Sequence, residues 1–104
     1  MKSSIPALAL LLAAVAAPGA HAQSDLADKR KLCLSCHDIN VKKVGPAFKD
    51  VAARYAGQSD AAAKLTQKVL KGGAGTWGAV PMPANPQLNE AEARQLVDWV
   101  LSQK

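Results

Sequence analysis

Three residues carry the chemistry open to this chain: Cys33, Cys36 and His37, in the run Cys33-Leu34-Ser35-Cys36-His37. Two thiols three residues apart share one side of a helical turn. There they can add to the two vinyl groups of a haem. His37 lies four residues after Cys33 and stays on that face, within reach of the iron. Two other chemistries use a C-x-x-C pair. A thioredoxin-like redox pair sits in a βαβ setting, and none is visible here. A zinc site takes four ligands, and the chain has only these two cysteines. The histidine directly after Cys36 and an export-type N-terminus select haem attachment.

That N-terminus has the parts of a secretory signal. Lys2 supplies the positive start and Ala7 to Ala17 are apolar. Pro18-Gly19 interrupts them, and Ala20-His21-Ala22 has the small-x-small spacing of a cleavage site. An uncleaved membrane anchor would need about 20 apolar residues, and Ala7 to Ala17 falls well short. No cysteine stands at the cleavage point to take a lipid. Residues 1–22 are expected to be a cleaved signal peptide. Residues 23–104 are expected to form one exported domain without a membrane anchor, in a bacterium a periplasmic one.

The formal charge of +5 falls to +4 without Lys2, and two haem carboxylates would lower it further. A charge so modest and spread out, on an exported chain, does not point to nucleic acid. A domain of about 80 residues holds a thin core and needs a staple. A covalent haem would be both the staple and much of the core.

A second axial ligand follows by elimination. Of the two histidines, His21 lies in the signal and His37 is assigned; of the two methionines, Met1 is lost and Met82 remains. The sixth position is therefore filled by Met82, by a lysine amine, or by nothing. Met82 sits in Val80-Pro81-Met82-Pro83. Prolines on both sides fix their own φ angles and push their predecessors toward extended backbone, a stiff mount for a thioether. An isolated methionine is more often packing than ligand. Beside a haem motif, His/Met ligation favours Met82.

Elements able to position these groups are helical. Four helices and no strands are expected: about Ser24 to Ser35, ending in the attachment motif; Ala47 to Ala56, with Phe48, Val51, Ala52 and Tyr55 on one face; after Ser59 to Lys71, with Ser59 as N-cap and Gly72-Gly73 as the stop; and a last one opened by Asn89 and Glu92 as a capping box. Leu96, Val97, Val100 and Leu101 form the apolar stripe of the last helix, with Trp99 beside it. Between the third and fourth helices, Gly72 to Gln87 is too rich in glycine and proline for a helix. A loop that long in so small a domain is usually functional. Here it contains Trp77 and Met82.

Five segments in order carry a family resemblance: Cys33–His37, Val44-Gly45-Pro46-Ala47-Phe48-Lys49-Asp50-Val51-Ala52, Gly75-Thr76-Trp77-Gly78, Pro81-Met82-Pro83 and Asp98-Trp99-Val100-Leu101-Ser102. Over essentially all of residues 23–104 the chain resembles the small bacterial class I cytochromes c. Within them it is most similar to the periplasmic electron donors of haem nitrite reductases and terminal oxidases. The resemblance implies an all-α class I cytochrome c fold wrapped around one haem c. It implies that the Pro46 carbonyl accepts a hydrogen bond from the proximal histidine, and that the Trp77 indole reaches a haem propionate. It matches Asn85 to an asparagine that bonds near the methionine sulfur, although Ala84 and Pro86 depart from the family pattern. A second departure precedes the motif. Leu32 replaces a glycine common among relatives, and Asp28 lies where many have an aromatic residue. The packing of the first helix on the last is therefore expected to differ.

The expected function is one-electron carriage, not turnover of a substrate, since no general base or nucleophile constellation is present. The alternative is a haem sensor or peroxidase-like enzyme with a labile Met82. Expected partners are redox proteins: a membrane cytochrome complex as donor, and a nitrite reductase, oxidase or peroxidase as acceptor. The resemblance places Leu34, Val44, Ala79 and Val80 near an exposed haem edge. Lys29, Lys31, Lys42, Lys43 and Lys49 could form a basic rim around it for transient docking of a monomer.

Overall fold

The structure, a computed structural model, describes residues 11–13 and 19–104. Most of the expected signal peptide, residues 1–22, lies outside the described residues. Among those described there are four helices and no strand: α1 Gly19–Leu34, α2 Phe48–Arg54, α3 Ala61–Lys71 and α4 Glu90–Leu101. The all-α expectation holds, with the expected number of helices in the expected order.

Helix α2 follows Pro46 and an extended Ala47, with Asp50 in its first turn and Arg54 in its last, both favourable to the helix dipole. Its two turns bury one face, made of Phe48, Val51 and Ala52. Helix α3 opens one residue later than expected, with Asp60 as N-cap in place of Ser59. A turn carries the chain into the helix, with the Ala61 N–H donating to the Gln58 carbonyl at 3.2 Å. The Asp60 carboxylate makes no capping bond and pairs instead with Lys64 at 2.8 Å. Gly72 ends α3 at φ +72°, a left-handed position that favours glycine.

Helix α4 begins with the expected capping box. The Glu92 N–H donates to the Asn89 side chain at 2.8 Å, and the Asn89 N–H donates to the Glu92 carboxylate at 3.1 Å. This helix is the hub of the fold, packing against α1, α2 and α3. Its contribution to the core is Ala93, Leu96 and Val97.

The buried apolar residues are Ala47, Phe48, Val51, Ala52, Ala61, Leu88, Ala93, Leu96 and Val97. Four of these nine are alanines, which bury little, and Leu96 is the one large side chain fully enclosed among the described residues. At about 1.5–3 kcal/mol for each large apolar side chain, such a core is weak for its chain length. The α1/α4 seam uses charge where an aromatic contact was absent from the sequence. Lys29 pairs with Glu92, and the Arg30 guanidinium lies 4.7 Å from the centre of the Trp99 ring.

Candidate prosthetic-group site

The attachment run is the end of α1 and the turn that continues it. Helical winding persists beyond Leu34. The N–H groups of Cys36 and His37 both donate to the Cys33 carbonyl, at 3.2 and 3.0 Å. Cys33 and His37 therefore sit one turn apart, as the i, i+4 spacing requires. Both cysteines are free thiols of intermediate burial, and burial pushes the Cys33 thiol up from its ordinary pKa.

His37 is held by three neighbours. Its Nδ1 lies 2.8 Å from the Pro46 carbonyl. A carbonyl only accepts, so Nδ1 carries a proton, and in the neutral ring Nε2 then keeps the lone pair. Gly45 lies against the ring so closely that a Cβ there would collide with Cε1, Nδ1 and Nε2. The Phe48 ring stacks on the imidazole, centroids 4.8 Å apart and planes 22° apart. Backbone bonds lock this arrangement. Gly45 N–H donates to the Cys36 carbonyl at 2.8 Å, and Phe48 N–H to the Asp38 carbonyl at 2.9 Å. The Asp38 carboxylate accepts from the N–H groups of Asn40 and Val41 at 2.8 and 3.0 Å, which hold its pKa below the usual carboxylate range.

Met82 is mounted differently. Its backbone exchanges two hydrogen bonds with Gly73, just past the end of α3: Met82 N–H to the Gly73 carbonyl at 2.8 Å, and Gly73 N–H to the Met82 carbonyl at 3.0 Å. Gly72 packs against the same stretch, where a Cβ would strike the Met82 carbonyl and the Ala84 nitrogen. Asn85 anchors the next turn to α3. Its N–H and its Nδ2 both donate to the Val69 carbonyl, at 3.2 and 2.8 Å, and Nδ2 also lies 3.4 Å from the Pro83 carbonyl. None of these bonds reaches the Met82 sulfur. The other limb of the loop is tied to α2. Arg54 donates to the Thr76 carbonyl at 3.1 Å, and its guanidinium lies 4.6 Å from the centre of the Trp77 ring.

The structure thus gathers Cys33, Cys36, His37 and Pro46 into one cluster, and Trp77, Met82 and Asn85 onto one tethered loop. Gly45, Phe48 and Arg54 are further parts of the site whose roles sequence reasoning did not assign. For Gly45 the available signal was a glycine directly before a proline near the histidine. Phe48 was read only as a helix-face residue, and Arg54 had no signal at all.

The residues fit a covalently attached haem. Two free thiols lie three residues apart on one turn, and His37 Nε2 has no hydrogen-bond partner among the described residues. The Trp77 indole N–H likewise has none among them, and the residue is exposed. Val44 and Val80, 57% and 66% exposed, are apolar groups without cover in the protein alone. A haem offers each of these a partner: vinyls, iron, carboxylate and an apolar face.

Comparison with known proteins agrees. The family described as Cytochrome c matches residues 24–104, and the chain belongs to that family. It is 50% identical to cytochrome c-552 of Hydrogenobacter thermophilus over 96 residues, covering 91% of this chain and 96% of that protein. It is 53% identical to cytochrome c-551 of Pseudomonas aeruginosa over 76 residues, 73% of this chain and 72% of that protein. The crystal structure of Nitrosomonas europaea cytochrome c552 matches it with a TM-score of 0.71 at 47% identity, over 78% of this chain and 99% of that one. The chain therefore carries one covalently bound haem c, on the Cys33/Cys36 pair, and serves electron transport.

Proposed function

We propose that this chain is an exported one-electron carrier whose haem iron is bound by His37 Nε2 and by the sulfur of Met82. When bound, the haem supplies a single Fe(III)/Fe(II) couple. The observation that carries the reading is the 2.8 Å bond between His37 Nδ1 and the Pro46 carbonyl, which leaves Nε2 of the neutral ring as its lone-pair donor. The same bond orients the ring and strengthens it as a donor. Gly45 and Phe48 then prevent the imidazole from rotating or tilting. Met82, paired through its backbone to Gly73 and flanked by two prolines, offers a thioether from a loop that has little freedom to move. Two ligands held this rigidly change little between oxidation states, so electron exchange needs little rearrangement. They also leave no open position for a small-molecule substrate, which is why we assign no enzymatic turnover.

Residues 1–22 are read as the export signal, removed near Ala22, and the working chain as periplasmic. No helix of the described residues is long and apolar enough to cross a membrane. The contact surface for redox partners is read as the apolar group Leu34, Val44, Ala79 and Val80. Its basic rim is narrower than the sequence suggested. Lys29 is taken by Glu92, and Lys31 lies 3.3 Å from Asp28. Lys43 donates to the Leu34 carbonyl at 3.2 Å. Lys42 and Lys49, both exposed, remain to steer an acidic partner such as a terminal reductase or oxidase.

Optical spectra of the holoprotein test the reading. A sharp reduced band, a weak far-red sulfur-to-iron band when oxidised, and no response of the reduced protein to carbon monoxide are expected. A clear carbon monoxide shift would overturn it, and would favour a sensor or peroxidase-like haem protein with a labile Met82.

A further inference from the structure

We propose, resting on His37 as the iron ligand, that the charge of Arg30 raises the reduction potential of the site from the α1/α4 seam. Four side chains from three helices and the attachment turn form one column. The Arg30 guanidinium lies 4.7 Å from the Trp99 ring centre, Trp99 meets Phe48 edge-on at 5.3 Å, and Phe48 stacks on His37 at 4.8 Å. Arg30 comes from α1, Trp99 from α4 and Phe48 from α2. The column therefore joins the helix packing to the imidazole.

The charge at its far end has no counter-ion in contact among the described residues. Three carboxylates of α1 and α4 are engaged elsewhere: Asp28 with Lys31, Glu92 with Lys29 and Asp98 with Arg94. Arg30 Nε is itself buried without a hydrogen-bond partner. A cation that is partly desolvated and unpaired keeps a longer reach than a surface lysine, because water screens it less and no carboxylate pairs with it. The lengths of the three contacts place it no more than about 15 Å from the His37 ring, close enough to disfavour the more positive, oxidised state of a group bound there. The electron density of Trp99 facing the guanidinium fixes where that charge sits.

The test compares Arg30→Lys and Arg30→Met in the holoprotein, measuring midpoint potential, optical spectrum and Tm together. Arg30→Met removes the charge and keeps an apolar stem on Trp99. Its potential is expected to fall, by an amount equal to an about two- to fivefold change in the equilibrium constant for reduction. Arg30→Lys is expected to keep most of the wild-type potential. A normal spectrum with a lowered Tm and an unmoved potential in Arg30→Met would overturn the proposal and leave Arg30 as packing alone. Equal falls in both variants would also overturn it, because geometry rather than charge would then be responsible. If the wild-type spectrum itself lacked His ligation, the failure would lie in the reading of His37 and not in that of Arg30.

Discussion

On the Cys33–Phe48 side of the site, groups from outside His37 press on its ring: Gly45 on the imidazole, the Pro46 carbonyl at Nδ1, and Phe48 stacked at 4.8 Å. On the 72–87 loop, Met82 is held through its own backbone, by two hydrogen bonds to Gly73 and by neighbouring prolines. The first side fixes the orientation of a side chain and the second fixes the position of a chain segment. An imidazole must present one particular nitrogen, so it needs contacts on the ring. A flexible thioether can find its own rotamer once its Cα is correctly placed. Mutations on the two sides should therefore fail in different ways.

The largest effect comes from removing what both sides share. With Cys33→Ala and Cys36→Ala together, no haem is attached, and a core with four alanines among its nine buried apolar residues has little else to hold it. Circular dichroism of that double variant is expected to show no cooperative melt. A native-like melting curve would mean that the two sides form without their common centre.

Phe48→Ala strikes the His37 side. Truncating a buried aromatic costs about 3–5 kcal/mol, and here it also frees one face of the imidazole. Denaturant titration should show the loss, while the far-red sulfur band persists because the loop is untouched. Loss of that band would erase the distinction between the sides.

Gly72→Ala strikes the loop. The residue sits at φ +72°, and a Cβ would meet the Met82 carbonyl. Destabilisation of about 1–3 kcal/mol is expected, with weakening of the far-red band and no change in the signature of His37.

The smallest effect belongs to neither side. Asp60 and Lys64 face each other at 2.8 Å, both exposed to solvent; the lysine holds the carboxyl below its ordinary pKa, and the carboxylate holds the amine above its own. The lowered acid contributes above the ordinary carboxylate value of 3.8 and is lost as the pH falls through its folded value. The raised amine contributes below the ordinary lysine value of 10.5 and is lost as the pH rises through its own. Lys64→Met should thus lower Tm slightly and uniformly between these limits. A pH-dependent difference inside that window would contradict the assignment.

The legible parts of this molecule are those written over short distances along the chain. Cys33, Cys36 and His37 share one turn, Asn89 and Glu92 share a capping box, and Pro81 and Pro83 bracket Met82. What could not be read depends on where the fold brings distant residues. Arg30 meets Trp99 across two helices, Arg54 meets the loop at Thr76, and Asn85 bonds Val69 on α3. Ser59, expected as the N-cap, gives way to Asp60 because the turn from Gln58 carries the chain one residue further before α3 opens. The packing of α1 on α4 was expected to depart from the family, but its replacement by cations was not visible. A cation–π contact has no sequence period.

The central proposal is that Met82 would hold the haem iron together with His37. Proton NMR of the reduced holoprotein addresses it most directly, because a methionine methyl lying over the haem plane is shifted far upfield. The account predicts one resolved three-proton line well upfield of all other methyls, absent in Met82→Ala. A reduced spectrum without such a line, or one in which it survives Met82→Ala, would contradict it.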